Sequence, residues 1–162
     1  MENSNSDINL EDRDFSEFVR EILVSYIPEL DDNNISYDFD IPDKEILVKM
    51  NPQKLERAIN NIINNSIKYG EKNMSLKLSL KDLGNNAFLT IEDSGLGIPD
   101  ELSESIFDPF VRADNSRNSK TGGTGLGLAI SKGIIKIHGG SIKLDTSYKD
   151  GCRFIISIPK SS

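Results

Sequence analysis

Hydrophobic residues along this chain recur at two different periods, and the changes between them mark the elements. Phe15, Phe18, Val19, Ile22, Leu23 and Tyr26 fall at the three-and-four spacing of one helical face. Asp14-Phe15-Ser16-Glu17 reads as a capping box that opens this helix, and Pro28 is expected to stop it. The period then drops to two at Ile35, Tyr37, Phe39 and Ile41, the mark of a strand. Glu45 to Met50 reads as a second strand, and the residues near Ile8 to Leu10 as a short edge strand. Asn51-Pro52 places a cap residue before a first-turn proline, so a helix is predicted from there to about Tyr69, with Gly70 closing it. Met74 to Leu80 and Ala87 to Glu92 alternate as strands joined through Gly84-Asn85-Asn86. From about Asp93 to Gly123 no period holds, apart from a short helix expected near Glu101 to Phe107. Helical spacing returns from Thr124 to about Ile137, and strands at Ser141 to Asp145 and Arg153 to Ile158 complete the chain.

This order of elements predicts a two-layer α/β (α+β) sandwich, a mixed, mostly antiparallel sheet covered on one face by helices. The 162 residues suit a single core, read as a flexible lead-in over 1–6 and one domain over 7–160. A net charge of −7 argues against nucleic acid as a partner, because binding a phosphate backbone needs a clustered basic surface. Cys152 is the only cysteine, so no internal disulfide supports the fold. No apolar run approaches the roughly 18 residues of a membrane helix, and the N-terminus has no apolar signal core, so no direct membrane contact is expected.

Four groups of residues carry chemistry beyond what the fold requires. On the helix after Pro52, Asn61, Asn65, Lys68 and Tyr69 share one face beside the apolar stripe of Leu55, Ala58, Ile59, Ile62 and Ile63. An amide oxygen there suits Mg²⁺, an ammonium suits phosphate and an aromatic ring suits a base; the stripe taken alone is equally a solvated, asparagine-rich face. Asp93-Ser94-Gly95-Leu96-Gly97-Ile98-Pro99 follows a strand, where a carboxylate can accept from an exocyclic amine, or simply form an aspartate–glycine turn. Gly122-Gly123-Thr124-Gly125-Leu126-Gly127-Leu128 leads into a helix whose free N–H groups favour phosphate. Four glycines within six residues are hard to explain by structure alone, because each costs backbone entropy. Ile106-Phe107-Asp108-Pro109-Phe110 places two phenylalanines in the long loop, as an anchor on the core or a docking surface, and Arg112, Arg117 and Lys120 follow as cations able to reach terminal phosphates. Neither glycine box completes a dinucleotide fingerprint: Asp100 and Ile130 stand at the third glycine positions. His138, the single histidine, lies at a helix end and reads as structural.

Together and in this order, the motifs resemble the catalytic, ATP-binding domain of bacterial sensor histidine kinases. Asn61-Ile62-Ile63-Asn64-Asn65-Ser66-Ile67-Lys68-Tyr69 is similar to the family's N box, and Asp93-Ser94-Gly95-Leu96-Gly97 to its first glycine box. Ile106 to Phe110 resembles the F box and Gly123 to Leu128 the second glycine box, while Ile137 to Ile142 and Gly151-Cys152-Arg153-Phe154 match the family's tail. The resemblance implies a Bergerat-type fold with a lid at about 100–123, binding ATP and Mg²⁺. It places the metal on Asn65 with Asn61 nearby, phosphate on Lys68, and adenine against Tyr69 and Asp93. Gly95, Gly97 and Ile98 would border the base. Phe110, Arg117, Lys120, Gly123, Thr124, Gly125, Leu126, Gly127 and Leu128 would border the nucleotide from the lid side, with Cys152 behind Asp93. Cys152 stands where the family usually has threonine, and a thiol is the poorer hydrogen-bond partner. Asn51 stands where many members have aspartate.

The implied reaction transfers the ATP γ-phosphoryl to a histidine on a separate dimerisation domain, with a response regulator downstream in a two-component system. Asn61, Asn65 and Lys68 are the residues it would make catalytic. The acceptor histidine and its helical hairpin are not in this chain. The fragment is therefore expected to be monomeric, a cytoplasmic domain of an inner-membrane sensor. Gyrase-like, mismatch-repair and heat-shock-chaperone ATPases share the fold but resemble one another in carrying a glutamate at the position of Asn61, as anti-sigma serine kinases tend to. An amide cannot serve as base for water, so slow or negligible hydrolysis is expected. A nucleotide-sensing or docking module without phosphotransfer is the non-enzymatic alternative.

Overall fold

The computed structural model describes residues 8–68, 73–109 and 126–161. Strand β1 (Glu11–Asp14) leads directly into helix α1 (Phe15–Asp32). Asp14 turns the chain: its carboxylate accepts from the N–H of Ser16, capping α1, and from the N–H of Ile46 at 3.1 Å, tying the helix start to the approach of strand β3 (Leu47–Met50). Glu17 does not close the expected capping box; its carboxylate pairs instead with Arg20 one turn on. Strands β1 and β3 form an antiparallel sheet of their own, with Glu11 opposite Met50 and Asp14 opposite Leu47. The edge strand thus begins at Glu11 and not at Ile8, because pairing is set by the buried Val48 and Met50 while Leu10 stays exposed.

Pro28 does not end α1, which continues through it to Asp32. Proline removes one N–H from the ladder, and the carbonyl left without it belongs to Val24, on the exposed face where water is available. Leu30, fully buried two residues later, holds the last turn against the core.

The main sheet has the order β2-β4-β5-β7-β6. Its strands are β2 (Ser36–Asp40), β4 (Ser75–Leu83), β5 (Asn86–Asp93), β6 (Ser141–Leu144) and β7 (Cys152–Pro159). Only β2 and β4 pair in parallel; the remaining pairs are antiparallel. Alternation divides the faces. Leu76, Leu78, Leu80, Leu89, Ile91, Phe154, Ile156 and Ile158 point to the helices and are buried, each such side chain contributing about 2 kcal/mol. Lys77, Ser79, Thr90, Glu92 and Arg153 occupy the other face, where Arg153 pairs with Glu92 at 2.8 Å and Asp145 at 3.1 Å.

Helix α2 (Pro52–Lys68) and helix α3 (Gly127–Ile137) pack side by side on the covered face. Asn51 caps α2, accepting from the N–H of Lys54 at 3.0 Å, and the helix buries the predicted stripe of Leu55, Ala58, Ile59, Ile62 and Ile63. His138 joins the two helices: one ring nitrogen faces the Ile134 carbonyl at 2.8 Å and the other accepts from the N–H of Asn51 at 3.1 Å. The helix expected over Glu101 to Phe107 is two separate single-turn 3₁₀ pieces, Asp100–Leu102 and Ser105–Phe107. Only Ile106 and Phe107 are buried there, too short an apolar face to sustain a continuous helix.

Candidate functional site

The C-terminal end of the central strand β5 meets helix α2 and the start of β7, and the predicted carboxylate sits at that junction. Asp93 is 5% exposed. Its Oδ1 accepts from the N–H of Gly95 at 2.9 Å and from the N–H of Cys152 at 3.2 Å. Both bonds to the protein go to this oxygen, and among the described residues Oδ2 receives none. Burial raises the Asp93 carboxyl above the ordinary aspartate value, against the lowering effect of the Gly95 and Cys152 backbone hydrogen bonds and of the nearby Ser66 hydroxyl. A carboxylate held this way, with one oxygen committed and the other available, can accept one strong bond from an amine donor.

Glycines make this approach feasible. Gly97 adopts φ +81°, and a side chain there would crowd the Gly151 carbonyl at 3.2 Å. At Gly151 a Cβ would overlap the Asp93 carbonyl oxygen outright. Tyr148 adds a hydroxyl that donates to the same carbonyl at 3.3 Å. Ile98 packs half-buried against the core beside this turn. Cys152 is buried behind Asp93; burial first, and then the Asp93 charge, push its thiol up to about 12.

On α2, Asn61 and Asn65 stand one turn apart, both half-buried, and Lys68 follows, exposed. The Asn61 amide donates to the Gly127 carbonyl at 3.3 Å, so the N box touches the second glycine box directly. Leu126 precedes α3 without any side-chain cap, and the first N–H groups of that helix have no intrahelical partner. Leu128 is buried while Gly127 is exposed. Phe107 from the F box is anchored on the core, edge-on to Phe154 with ring centres 6.0 Å apart, and Lys132 lies 5.7 Å over its ring. Tyr69, Phe110, Arg112, Arg117, Lys120, Gly123, Thr124 and Gly125 lie outside the described residues.

The donor set suits the expected metal. Among the described residues no three His, Cys, Asp or Glu side chains cluster into a metal cage, and the oxygen donors of the N box are amides. Mg²⁺ fits such a face, because it binds through one or two protein oxygens plus substrate phosphates and keeps several waters.

Comparison with known proteins places this geometry. Residues 50–162 match the sequence profile described as histidine kinase-, DNA gyrase B- and HSP90-like ATPase. The chain belongs to that family. Within it, the chain is 36% identical over 161 residues to the sensor protein kinase WalK of Staphylococcus aureus, covering 98% of this chain and 26% of the relative. It thus spans between 26% and 38% of the curated relatives' lengths. Among solved structures, the nucleotide-free catalytic domain of the histidine kinase ThkA superposes with a TM-score of 0.82 at 28% identity, covering 94% of this chain and 97% of that one. The mycobacterial sensor histidine kinase MprB follows at 0.80 and 26% identity, covering 93% and 98%. The mixed sheet with helices on one face is the fold of these kinase ATPase domains.

Tyr148 and one further residue at the junction were not singled out from the sequence. Ser66, next to Asn65 on α2, is 2% exposed and close enough to Asp93 to favour the ionised carboxylate. Serine has no spacing signature, and here it falls within an apolar stripe, so only the assembled fold reveals it.

Proposed function

We propose that this chain binds Mg-ATP and acts as the catalytic domain of a sensor histidine kinase, passing the γ-phosphoryl to a histidine on a separate dimerisation domain. The observation that carries the reading is Asp93, buried at the end of β5 with Oδ1 held by two backbone N–H groups. Such an oxygen pair selects a base that presents an amine, as adenine does. The uncapped N-terminus of α3 offers N–H groups and the positive end of its dipole to phosphate, and Asn61 fixes that terminus against α2. Lys68 adds a cation at the exposed end of the same face. Bound Mg²⁺ would be held by Asn65 and would neutralise phosphate charge. Asn61 offers an amide where water activation would need a carboxylate, so the domain retains ATP for transfer instead of hydrolysing it.

The likeness to WalK, and to a ThkA structure solved in complex with the response regulator TrrA, supports a response regulator as the downstream partner. No helix among the described residues is long and apolar enough to cross a membrane. In this reading the domain works in the cytoplasm, monomeric by itself, as part of an inner-membrane sensor.

The test is calorimetric titration of ADP and a non-hydrolysable ATP analogue, with and without Mg²⁺, on the wild type and on Asp93→Asn. The asparagine preserves the two backbone bonds through its oxygen but can turn a donor toward the base amine. Expected is Mg-dependent binding of the wild type, a loss of at least about 100-fold in the variant, and an unfolding temperature in the nucleotide-free variant no lower than the wild type's, because a buried charge is gone. Phosphotransfer to a supplied histidine-bearing domain completes the test, and nucleotide binding without it would favour a sensing module.

A further inference from the structure

Among the described residues four serines lie in α-helices, and three of them are satisfied. Ser16 donates to the Lys44 carbonyl at 2.9 Å, Ser25 to the Ile22 carbonyl at 2.6 Å and Ser131 to the Ala58 carbonyl at 2.8 Å. Ser66 is the exception: its hydroxyl is buried and makes no hydrogen bond among the described residues, although it lies near enough to Asp93 to favour the ionised carboxylate. A helical serine ordinarily bonds back to a carbonyl one turn earlier, as Ser25 does, and an orphaned buried hydroxyl costs about 1–3 kcal/mol. Position 66 also continues the apolar stripe of Leu55, Ile59 and Ile62, where a hydrocarbon would pack at no such cost. The hydroxyl therefore stands at a place where folding alone disfavours it, beside the carboxylate whose Oδ2 receives no protein bond among the described residues.

We propose that Ser66 is a base-specificity residue, donating its O–H to ring nitrogen N1 of adenine, directly or through one water, while Asp93 accepts from the neighbouring amine. This rests on the ATP-binding reading above. The pair presents an acceptor next to a donor. Adenine offers the complement, an amine donor beside the N1 acceptor. Guanine and hypoxanthine offer the reverse, a carbonyl beside a protonated N1, and would bring an oxygen against the carboxylate. Cys152 cannot provide this donor well, since its thiol is a weak one and its backbone N–H is already committed to Asp93. The hydroxyl donor that Cys152 lacks is supplied from helix α2.

The experiment measures calorimetric affinities of wild type and Ser66→Ala for ADP, 1-deaza-ADP and 7-deaza-ADP in the presence of Mg²⁺, with unfolding temperatures of both proteins free of nucleotide. In 1-deaza-ADP a C–H replaces N1, while 7-deaza-ADP keeps N1 and the amine. The expected result is that wild type loses about 5- to 10-fold from ADP to 1-deaza-ADP and that Ser66→Ala binds both equally, at the weaker level. 7-deaza-ADP should follow ADP in both proteins. Removal of an unsatisfied hydroxyl should leave the nucleotide-free unfolding temperature unchanged or raised. Equal 1-deaza losses in both proteins would overturn the assignment, as would unweakened ADP binding by Ser66→Ala. A lowered unfolding temperature with the N1 dependence intact would make Ser66 a packing residue only. If wild type binds no adenine nucleotide at all, the ATP-binding reading itself falls, an outcome distinct from the others.

Discussion

Cys152 at the β5–β7 contact and Tyr26 at the α1–α2 contact hold their protons more tightly in the folded chain than in the unfolded one. Burial, with the Asp93 charge adding to it, pushes Cys152 from 9.0 up to about 12, and burial pushes Tyr26 from 10.0 up to about 12. The unfolded chain therefore ionises first as pH rises. The contribution of Cys152 to stability is complete below about pH 9 and is lost progressively toward pH 12, with Tyr26 adding to the loss from about pH 10. Urea midpoints measured from pH 7 to 11 should fall above pH 9, and the fall should be shallower in Cys152→Ala. The same burial should keep the thiol slow to alkylate until the chain is unfolded. Asp93, Asn61 and Asn65 could be nominated as candidates from the sequence because motifs of fixed spacing carry them. Ser66 was not, since its significance lies in a missing partner, which only three dimensions can show.

Among the elements, the contact between α2 and α3 depends on His138 in a way that can be measured. Its ring satisfies the Asn51 N–H at the start of one helix from the end of the other. His138→Ala would orphan that donor and leave a cavity, and should cost about 2–4 kcal/mol in urea denaturation. At the junction of β5 and β7, Gly151→Ala should lower both stability and nucleotide affinity, the latter by more than tenfold, because the added methyl overlaps the Asp93 carbonyl. Gly84→Ala is the control. Gly84 sits at φ +64° in the β4–β5 turn with nothing within 4 Å of an added Cβ, so it should cost about 1 kcal/mol and leave binding unchanged. Most elements could be read from periodicity, with ends shifted by a few residues. The end of α1 could not: proline argues locally for a stop, but the buried Leu30 beyond it outweighs one lost hydrogen bond. The paired 3₁₀ turns escaped for a related reason, since so few buried positions set no period.

At the scale of the molecule, the two-layer design followed from the order of elements, but the division into two sheets did not. Whether β3 joins the main sheet or pairs with β1 is settled by contacts between residues more than thirty positions apart, such as Glu11 with Met50. The main sheet, in turn, puts β5 in its middle, matched along all eight residues by both β4 and β7. Amides such as those of Leu89 and Ile91 should then exchange with solvent only when the whole domain opens, and their exchange rates should equal those of global unfolding. Since Asp93 ends that same strand, nucleotide held there, as proposed, would have to be released before those amides can open. Deuterium uptake at Leu89 and Ile91 should consequently slow in proportion to the ratio of free nucleotide to its dissociation constant, so the most rigid strand of the domain reports occupancy of a site at its tip.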